Sequence, residues 1–317
     1  MNLVTVIYTQ ETDKPTYGVD FSFLTDFEIS IYEVTLDNYR QIIDNIPTNS
    51  FIINLCDGNL SENTPGIEVV LYLEEKKRIF TGSSSKSYNW NKSKIKNNNI
   101  MTPKFAIINK NNINELITLT QHLKYPLFVK PDNIIGGSNG ISKDSLVLNI
   151  NDLDLKLKKM ILVYENIMIE EYIDGREFTV LVCHNGEKII VLEPIECIFT
   201  GNEKFKHYDL KWKDYNDIKI NLNIEHDLQT KIMNFAKEAY TAFDLDSYIR
   251  FDIRMDNNNL YIIDVNPYCA IFYKPEYYGC ADIILKNSKK MNHCDFVLFN
   301  FIHATNRYSK FYKPLLN

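Results

Sequence analysis

The sequence has no run of about 20 apolar residues, so we expect no membrane-spanning helix. It also lacks an excess of positive charge. Its 317 residues carry 35 basic and 41 acidic side chains, and a net charge of -6 argues against a strongly basic nucleic-acid-binding protein. The first residues do not join a basic segment to a long apolar run, so we expect no signal peptide and a cytoplasmic location.

Cysteine is sparse and scattered: the six residues form no CxxC pair, which predicts free thiols and neither a disulfide framework nor a zinc site. The chain lacks a P-loop GxxxxGK[ST] motif and a GxGxxG motif after its first strand. We also find no Ser-His-Asp or Cys-His signature of a side-chain nucleophile. With 45% hydrophobic and 24% charged residues, the composition is that of an ordinary globular chain, long enough for two or three packed units.

Strand and helix patterns alternate in the first 80 residues. Apolar runs at 3–8 and 51–55 predict buried strands, and 35–46 and 66–77 predict helices, with a short strand at 78–80. This order indicates a small parallel sheet with covering helices. The small polar residues at 81–85 predict a linker. We therefore predict an N-terminal domain over 1–85, followed by domains over 86–172 and 173–317.

The segment 250–266, RFDIRMDNNNLYIIDVN, alternates polar and apolar residues as two strands joined by a tight turn. If the hairpin is centred on Asn258, Asp252 lies opposite Asp264 and Arg250 lies opposite Asn266. Two facing carboxylates repel each other unless a cation lies between them. These oxygen donors suit Mg²⁺, and Arg250 could grip a phosphate or carboxylate. The alternative is a surface hairpin with solvated charges.

Two further segments carry groups that suit a nucleotide. The strand 126–131 ends with Lys130, and a loop rich in glycine follows at 136–140, whose backbone N–H groups could wrap an anion. Glu170 and Glu171 end another apolar strand, and Glu177 follows the next turn. A flexible hairpin loop and a solvated strand end are the alternatives. Residues 200–217 form a long polar stretch with four lysines, which predicts a lid.

In chain order, these motifs resemble those of the ATP-grasp ligases, and most closely the D-alanine–D-alanine ligase family. The motifs are VKP, GGSNGIS, IEEYIDGREFTV, the lysine-rich loop, RFDIR and IIDVN. FINLCDG-like and FTGS-like segments extend the resemblance into the N-terminal part. It implies a mixed α+β and α/β three-domain ATP-grasp fold, with an N-terminal parallel sheet and ATP bound between the central and C-terminal domains.

The resemblance also implies a nucleotide site. Lys130 would contact the α-phosphate and Lys211 the γ-phosphate, while Lys92 and Lys86 compete for the place of the second ATP lysine. Glu170 would meet the adenine amino group and Glu177 the ribose. The remaining nucleotide contacts would come from the loop residues Gly136, Gly137 and Ser138 and from the backbone of Glu171 and Ile173.

For catalysis, the resemblance implies Arg250, Lys211 and Ser138, with ATP as co-substrate. Mg²⁺, expected as two ions with Mn²⁺ as a substitute, would be held by Asp252, Asp264 and Asn266. ATP would phosphorylate a carboxylate, an amine would attack the acylphosphate, and ADP and phosphate would be released. Such a reaction needs alignment and charge neutralisation more than it needs a nucleophilic side chain. Family members are often homodimers.

The departures from the family lie around the amino-acid pocket. Gly137 stands where the family has a serine, Trp212 where it has a tyrosine and Asp264 where it has a glutamate. Trp212, Tyr268, Phe272 and Tyr273 would suit a bulkier or flatter substrate; the alternative is that they are core residues. We therefore predict a carboxylate–amine ligase that acts on small molecules other than D-alanine. A D-alanine–D-alanine ligase with an altered pocket and a non-catalytic ATP-binding protein are the alternatives.

Overall fold

The structure is a computed structural model that describes residues 2–10, 18–60, 63–92, 100–132, 138–212 and 217–312. Over these residues the strands form three sheets. The first is parallel, with the order β2-β1-β3, as the alternation of strands and helices predicts. Its elements are β1 (Asn2–Tyr8), β2 (Phe27–Glu33), α1 (Tyr39–Asn45), β3 (Phe51–Leu55), α2 (Ile67–Glu75) and α3 (Ser85–Tyr88).

Two features of this region differ from the prediction. Strand β2 was missed because it lies at the sheet edge and is mostly exposed, so its sequence lacks a buried apolar run. The strand predicted at 78–80 is reduced to a single bridge between Ile52 and Phe80. Both differences follow from the position of these segments at the borders of the sheet, where pairing with neighbours is incomplete.

The second sheet is antiparallel, with the order β4-β7-β5-β6, and it carries two helices on one face. Asn149 caps the longer helix, because its side chain accepts hydrogen bonds from the backbone N–H groups of Asn151 and Asp152. The shorter helix follows a 3-10 turn at Ile113–Glu115. The elements are β4 (Phe105–Asn109), α4 (Leu116–Thr120), β5 (Leu127–Pro131), β6 (Leu146–Val147), α5 (Ile150–Met160) and β7 (Asn166–Glu171).

The third sheet has the order β11-β10-β8-β12-β13, with β9 paired to β8. Helix α7 packs on one face of β8 and β12, and the last two helices pack on the other side. The sequence patterns do not predict three of its elements, β10, β11 and α8. The elements are β8 (Arg176–His184), β9 (Ile189–Val191), β10 (Ile195–Phe199), α6 (Tyr208–Trp212), β11 (Ile218–Asn221), α7 (His226–Ala242), β12 (Tyr248–Asp256), β13 (Asn259–Asn266), α8 (Cys280–Asn287) and α9 (His293–Tyr312).

At its open end, the β12–β13 hairpin has the predicted strand pairing. Arg250 lies opposite Asn266, and Asp252 lies opposite Asp264. At the turn end the prediction is wrong by one residue, because Asp256 pairs with Asn259 across a two-residue turn. A β-bulge separates the two registers: Ile263 is an extra residue in β13 between the pairs Asp252–Asp264 and Ile253–Ile262. Without this bulge, Asp264 would move to the opposite face of the sheet, since a shift of one residue reverses every side chain.

The segment 81–85 is not the linker that the sequence predicts. Ser83 is fully buried, and its hydroxyl donates a hydrogen bond to Pro267 O at 3.1 Å. The Tyr268 hydroxyl in turn donates to Ser83 O at 2.7 Å. Gly82 has a φ of +92°, and a Cβ there would lie 2.8 Å from the Tyr268 ring. The small residues therefore allow close packing, and the predicted domain boundaries remain a prediction.

We expect Ile253→Ala to reduce the free energy of unfolding by about 2–5 kcal/mol, because Ile253 is fully buried beneath the third sheet and its removal leaves a cavity. Ile117→Ala provides a matched control, since Ile117 is 76% exposed and its replacement should change that free energy by less than about 0.5 kcal/mol. Urea unfolding followed by circular dichroism measures both values. Equal effects at the two positions would contradict this assignment of the core.

No helix in the described ranges is long and apolar enough to cross a membrane. All six cysteines are free thiols, as predicted.

Candidate active site

A cleft of about 730 Å³ lies between the second and third sheets. The ends of strands β5 and β7 form one wall of the cleft, and β12 and β13 form the other. Residues 205–211, which belong to the predicted lid, contribute to the lining. Gly136 and Gly137 lie outside the described residues. Apart from Lys86, the other residues predicted to contact the nucleotide, the metal or the reacting groups line this cleft: Lys92, Lys130, Ser138, Glu170, Glu171, Ile173, Glu177, Lys211, Arg250, Asp252, Asp264 and Asn266.

A buried cluster of two lysines around one carboxylate occupies the β5–β7 side. Glu170 Oε1 accepts from Lys130 Nζ at 2.9 Å, and Glu170 Oε2 accepts from Lys92 Nζ at 2.5 Å. Lys130 Nζ also donates to Ile263 O at 3.1 Å, so this cluster contacts the bulge of β13. One negative charge balances only one of the two lysines. The remaining positive charge is available to a phosphate.

The pKa values in this cluster follow from burial and from the partners. Burial lowers the pKa of Lys92 to about 8, against the opposing effect of Glu170. Burial also disfavours the charge of Lys130, but Glu170 and Asp264 keep its pKa above the ordinary value. Lys86, the other predicted candidate for the second ATP lysine, instead pairs with Asp244 at the surface. The geometry therefore favours Lys92.

We expect affinity for the ATP phosphates to fall about tenfold between pH 7 and pH 9. Burial lowers the pKa of both Lys92 and Lys211 to about 8, so both ammonium groups lose charge as the pH rises through this value. The Kd of ATP, measured by calorimetry at each pH, tests this expectation. Lys92→Arg should make the fall in affinity smaller, because a guanidinium stays charged while Lys211 still loses its charge. An unchanged Kd up to pH 9 would contradict it.

Unfolding does not produce the same pH dependence. The pKa of Lys92 is lower in the folded state than its ordinary value of 10.5, so the unfolded chain binds more protons between pH 8 and 10.5. This contribution to stability therefore rises with pH in that window. A loss of ATP affinity without a fall in Tm would identify the lysine titration as the cause.

The opposite wall is organised around Asp252, which is buried on β12. Its Oδ1 accepts from the Thr179 hydroxyl at 2.7 Å, and its Oδ2 accepts from Arg250 Nη2 at 3.2 Å. Burial opposes ionisation, but Arg250, Lys206 and the Thr179 hydrogen bond hold the pKa of Asp252 well below its ordinary range. Asp252 is therefore an anion at neutral pH, as a metal ligand must be.

The three predicted metal ligands meet at the open end of the hairpin. The Asn266 amide nitrogen lies 3.5 Å from Asp252 Oδ2 and 3.0 Å from Asp264 Oδ2. Within the described part of the chain, no three His, Cys, Asp or Glu side chains form a metal cluster. Two carboxylates and an amide fit a hard cation such as Mg²⁺ that completes its shell with phosphate oxygens and water. The donor set thus suits Mg²⁺ bound together with a nucleotide.

Arg250 is buried beside Asp252, and in the described ranges its Nε has no hydrogen-bond partner. A buried donor of this kind is costly unless a ligand satisfies it. Desolvation opposes the charge of Arg250, but Asp252 raises its pKa above the ordinary value, so it is a permanent cation. Arg250 also lines the cleft, so its guanidinium can bind an anionic substrate group.

Three further residues of the site, Arg254, Lys206 and Thr179, have roles that the sequence motifs do not predict. Arg254 donates from Nε to Glu177 Oε2 at 2.9 Å, from Nη1 to Ile173 O at 2.9 Å and from Nη2 to Lys204 O at 2.5 Å. It therefore joins the predicted ribose carboxylate, the predicted adenine-binding segment and the base of the lid. The alternation of the hairpin does indicate that Arg254 shares a face with Asp252.

The aromatic residues predicted for the substrate pocket have different environments. Tyr268 and Phe272 are buried in the cores under the first and third sheets. For these two residues the alternative holds: they are core residues whose large rings pack within the apolar clusters. Tyr273 does line the cleft. The side chain of Trp212 lies outside the described residues.

The fold and this cleft define the class of protein. Crystal structures of D-alanine–D-alanine ligase from Bacillus anthracis and of VanG D-Ala:D-Ser ligase from Enterococcus faecalis share the fold. The first has a TM-score of 0.70 at 18% sequence identity and covers 98% of this chain and 99% of that one. The second has a TM-score of 0.71 at 16% identity, with 96% and 99% coverage. The predicted ATP-grasp fold is confirmed, and the protein is of the ATP-grasp class.

The family follows from the sequence comparisons. A model of the family "D-ala D-ala ligase C-terminus" matches residues 95–271. D-alanine–D-alanine ligase from Pelagibacter ubique is 27% identical over 263 residues, covering 74% of this chain and 82% of that enzyme. The Staphylococcus epidermidis enzyme is 34% identical over 164 residues, covering 50% of this chain and 42% of its own length. The chain belongs to the D-alanine–D-alanine ligase family.

Proposed function

We propose that this protein is an ATP-dependent carboxylate–amine ligase that forms an acylphosphate and releases ADP and phosphate. The observation that carries the proposal is the meeting, in one cleft, of the Lys92–Glu170–Lys130 cluster with the Arg250–Asp252 wall. A triphosphate needs positive charge along its length and a carboxylate site for its metal. The two walls supply both, and the family relationship supports ATP as the co-substrate.

In this proposal, Lys92 and Lys130 bind the phosphates nearest the nucleoside, and Lys211 reaches the γ-phosphate from the lid. Ser138, which lines the cleft after the glycine-rich segment, lies on the same path. Bound Mg²⁺ supplies neutralisation of phosphate charge, and Asp252, Asp264 and Asn266 would hold it. Arg250, which lines the cleft, orients the substrate carboxylate through its guanidinium and stabilises the negative charge that develops on it.

The reaction transfers the γ-phosphoryl group from ATP to a carboxylate oxygen and releases ADP. The amine nitrogen then attacks the carbonyl carbon, and a tetrahedral species forms. This species collapses as the C–O bond to phosphate breaks, and the nitrogen loses a proton. The cations around the cleft stabilise the anionic groups at each stage, and alignment of the two substrates supplies the rest.

For the substrates, we propose small molecules other than D-alanine. Tyr273, Tyr277 and Tyr278 line the cleft together with Ile283, which favours a larger or flatter substrate than alanine. The named relatives favour a second candidate, a D-alanine–D-alanine ligase with an altered pocket. We further propose that the protein is cytoplasmic, forms a homodimer and does not bind nucleic acid.

The test is an ATP turnover assay with the purified protein, Mg²⁺ and pairs of amino acids. We expect ADP and phosphate to be released in equal amounts with at least one pair that contains an aromatic or other bulky member. Release with D-alanine alone would favour the second candidate. AMP and pyrophosphate as products would contradict the acylphosphate route. ATP binding without turnover for any pair would identify a non-catalytic protein.

A further inference from the structure

Lys206, from the lid, reaches into the carboxylate wall of the cleft. Its ammonium lies 3.0 Å from Glu177 Oε1 and 3.7 Å from Asp252 Oδ1. It also donates a hydrogen bond to the Thr179 hydroxyl at 3.2 Å, and that hydroxyl donates onward to Asp252. Only 16% of the Lys206 side chain is exposed. The lysine thus bridges the predicted ribose carboxylate and a predicted metal ligand.

The register of the third sheet explains why a cation is needed there. Asp252 on β12 lies opposite Thr179 on β8, and Arg254 lies opposite Glu177. Asp252 and Glu177 are therefore diagonal neighbours on one face, at a separation of about 7–8 Å between backbones, where long side chains still interact. Both carboxylates are buried, so their mutual repulsion is poorly screened by solvent.

The charges on the wall that carries Asp252 and Glu177 decide which cations can bind there. Arg250 and Arg254 each pair with one of the buried carboxylates, and Lys206 adds a third positive charge between them. Asp264 contributes a further carboxylate, but it is exposed and screened by solvent. A divalent cation entering alone would meet two cations beside Asp252, Arg250 at 3.2 Å and Lys206 at 3.7 Å. A cation that enters with a triphosphate brings the compensating negative charge with it.

We propose that Lys206 is the resident counter-ion of the metal site, which keeps divalent cations out until a nucleotide arrives. The triphosphate then attracts the Lys206 ammonium away from Asp252, and the ammonium binds a phosphate group instead. This frees Asp252 for the metal and Glu177 for the ribose. Lys206 therefore makes metal binding depend on nucleotide binding. The inference rests on the proposed function for the role of Asp252 as a metal ligand.

The test measures Mn²⁺ binding without nucleotide, from the electron paramagnetic resonance signal of free Mn²⁺. We expect Lys206→Met to bind one Mn²⁺ per chain at least about tenfold more tightly than the wild-type protein, because a repelling charge has been removed. Lys206→Arg should bind as weakly as the wild type, since it keeps the charge. Lys204→Met is the matched control: it removes an exposed lysine from the same lid and should change nothing.

A second replacement locates the new site: Asp252→Asn in the Lys206→Met background should abolish the gain in Mn²⁺ affinity. Lys206→Gln keeps a polar contact to Glu177, and it serves as the second variant should Lys206→Met lose its circular dichroism spectrum. An unchanged Mn²⁺ affinity in a folded Lys206 variant would overturn the inference and leave Lys206 as a tether of the lid. Binding and turnover of MgATP by the wild type are measured separately, so their failure would count against the proposed function instead.

Discussion

Asp252→Asn is expected to lower the rate of ADP release about a hundredfold or more while the protein stays folded. The amide of asparagine has nearly the same shape as the carboxylate but no charge, so it is a poor ligand for Mg²⁺. It also no longer balances Arg250, which lies 3.2 Å away. Initial rates at saturating ATP and substrates measure the effect.

The same replacement should cost some stability, because Asp252 is buried between cationic groups. We expect a decrease of about 1–3 kcal/mol in the free energy of unfolding, with an unchanged circular dichroism spectrum. Asp256→Asn is the matched control, since Asp256 ends the same strand at the turn and pairs there with Asn259, far from the cleft residues. Full turnover by Asp252→Asn would contradict the proposed role of Asp252 as a metal ligand.

Arg250→Lys is expected to reduce kcat about a hundredfold with a smaller change in the KM of ATP. The positive charge remains, but a lysine ammonium cannot reproduce the planar fork of a guanidinium that pairs with Asp252 and lines the cleft. If Arg250 stabilises charge that develops during phosphoryl transfer, the loss falls on the chemical step. Steady-state kinetics with separately varied substrates distinguish kcat from KM.

Arg254→Lys provides the contrast, because Arg254 lies on the same face of β12 but contacts Glu177 and the Ile173 carbonyl instead of Asp252. We expect this variant to raise the KM of ATP and to change kcat little. Equal losses of kcat in both variants would mean that the two arginines act only by holding the sheet together. A loss confined to KM in Arg250→Lys would exclude it from the chemical step.

Much of the candidate site could be predicted from the sequence because it lies on short, regular segments. Side chains two residues apart on a strand share a face, which placed Arg250 and Asp252 together, and the pairing of the open end of the hairpin followed. The order of motifs along the chain predicted the ATP-grasp family, and the comparisons confirm it. The roles of the individual site residues remain predictions.

Contacts between distant segments could not be predicted in the same way. The bulge at Ile263, which keeps Asp264 on the face of Asp252, depends on pairing across the hairpin, and local alternation carries no signal for it. Tyr268 and Phe272 proved to be core residues, since an aromatic side chain suits a pocket and a core equally well. The buried segment 81–85 read as a linker because small polar residues serve both loops and close packing.

The sequence by itself determined the types of group that the site contains and the strand faces that carry them, because both follow from residue identity and the period of a strand. Only the tertiary structure decided which of the two candidate lysines pairs with Glu170 and which lid lysine reaches Asp252. The physical reason is that such a choice depends on how two sheets and a loop, far apart in the chain, pack around one cleft. The lid has several lysines of the same chemistry, and only packing buries Lys206 between two carboxylates.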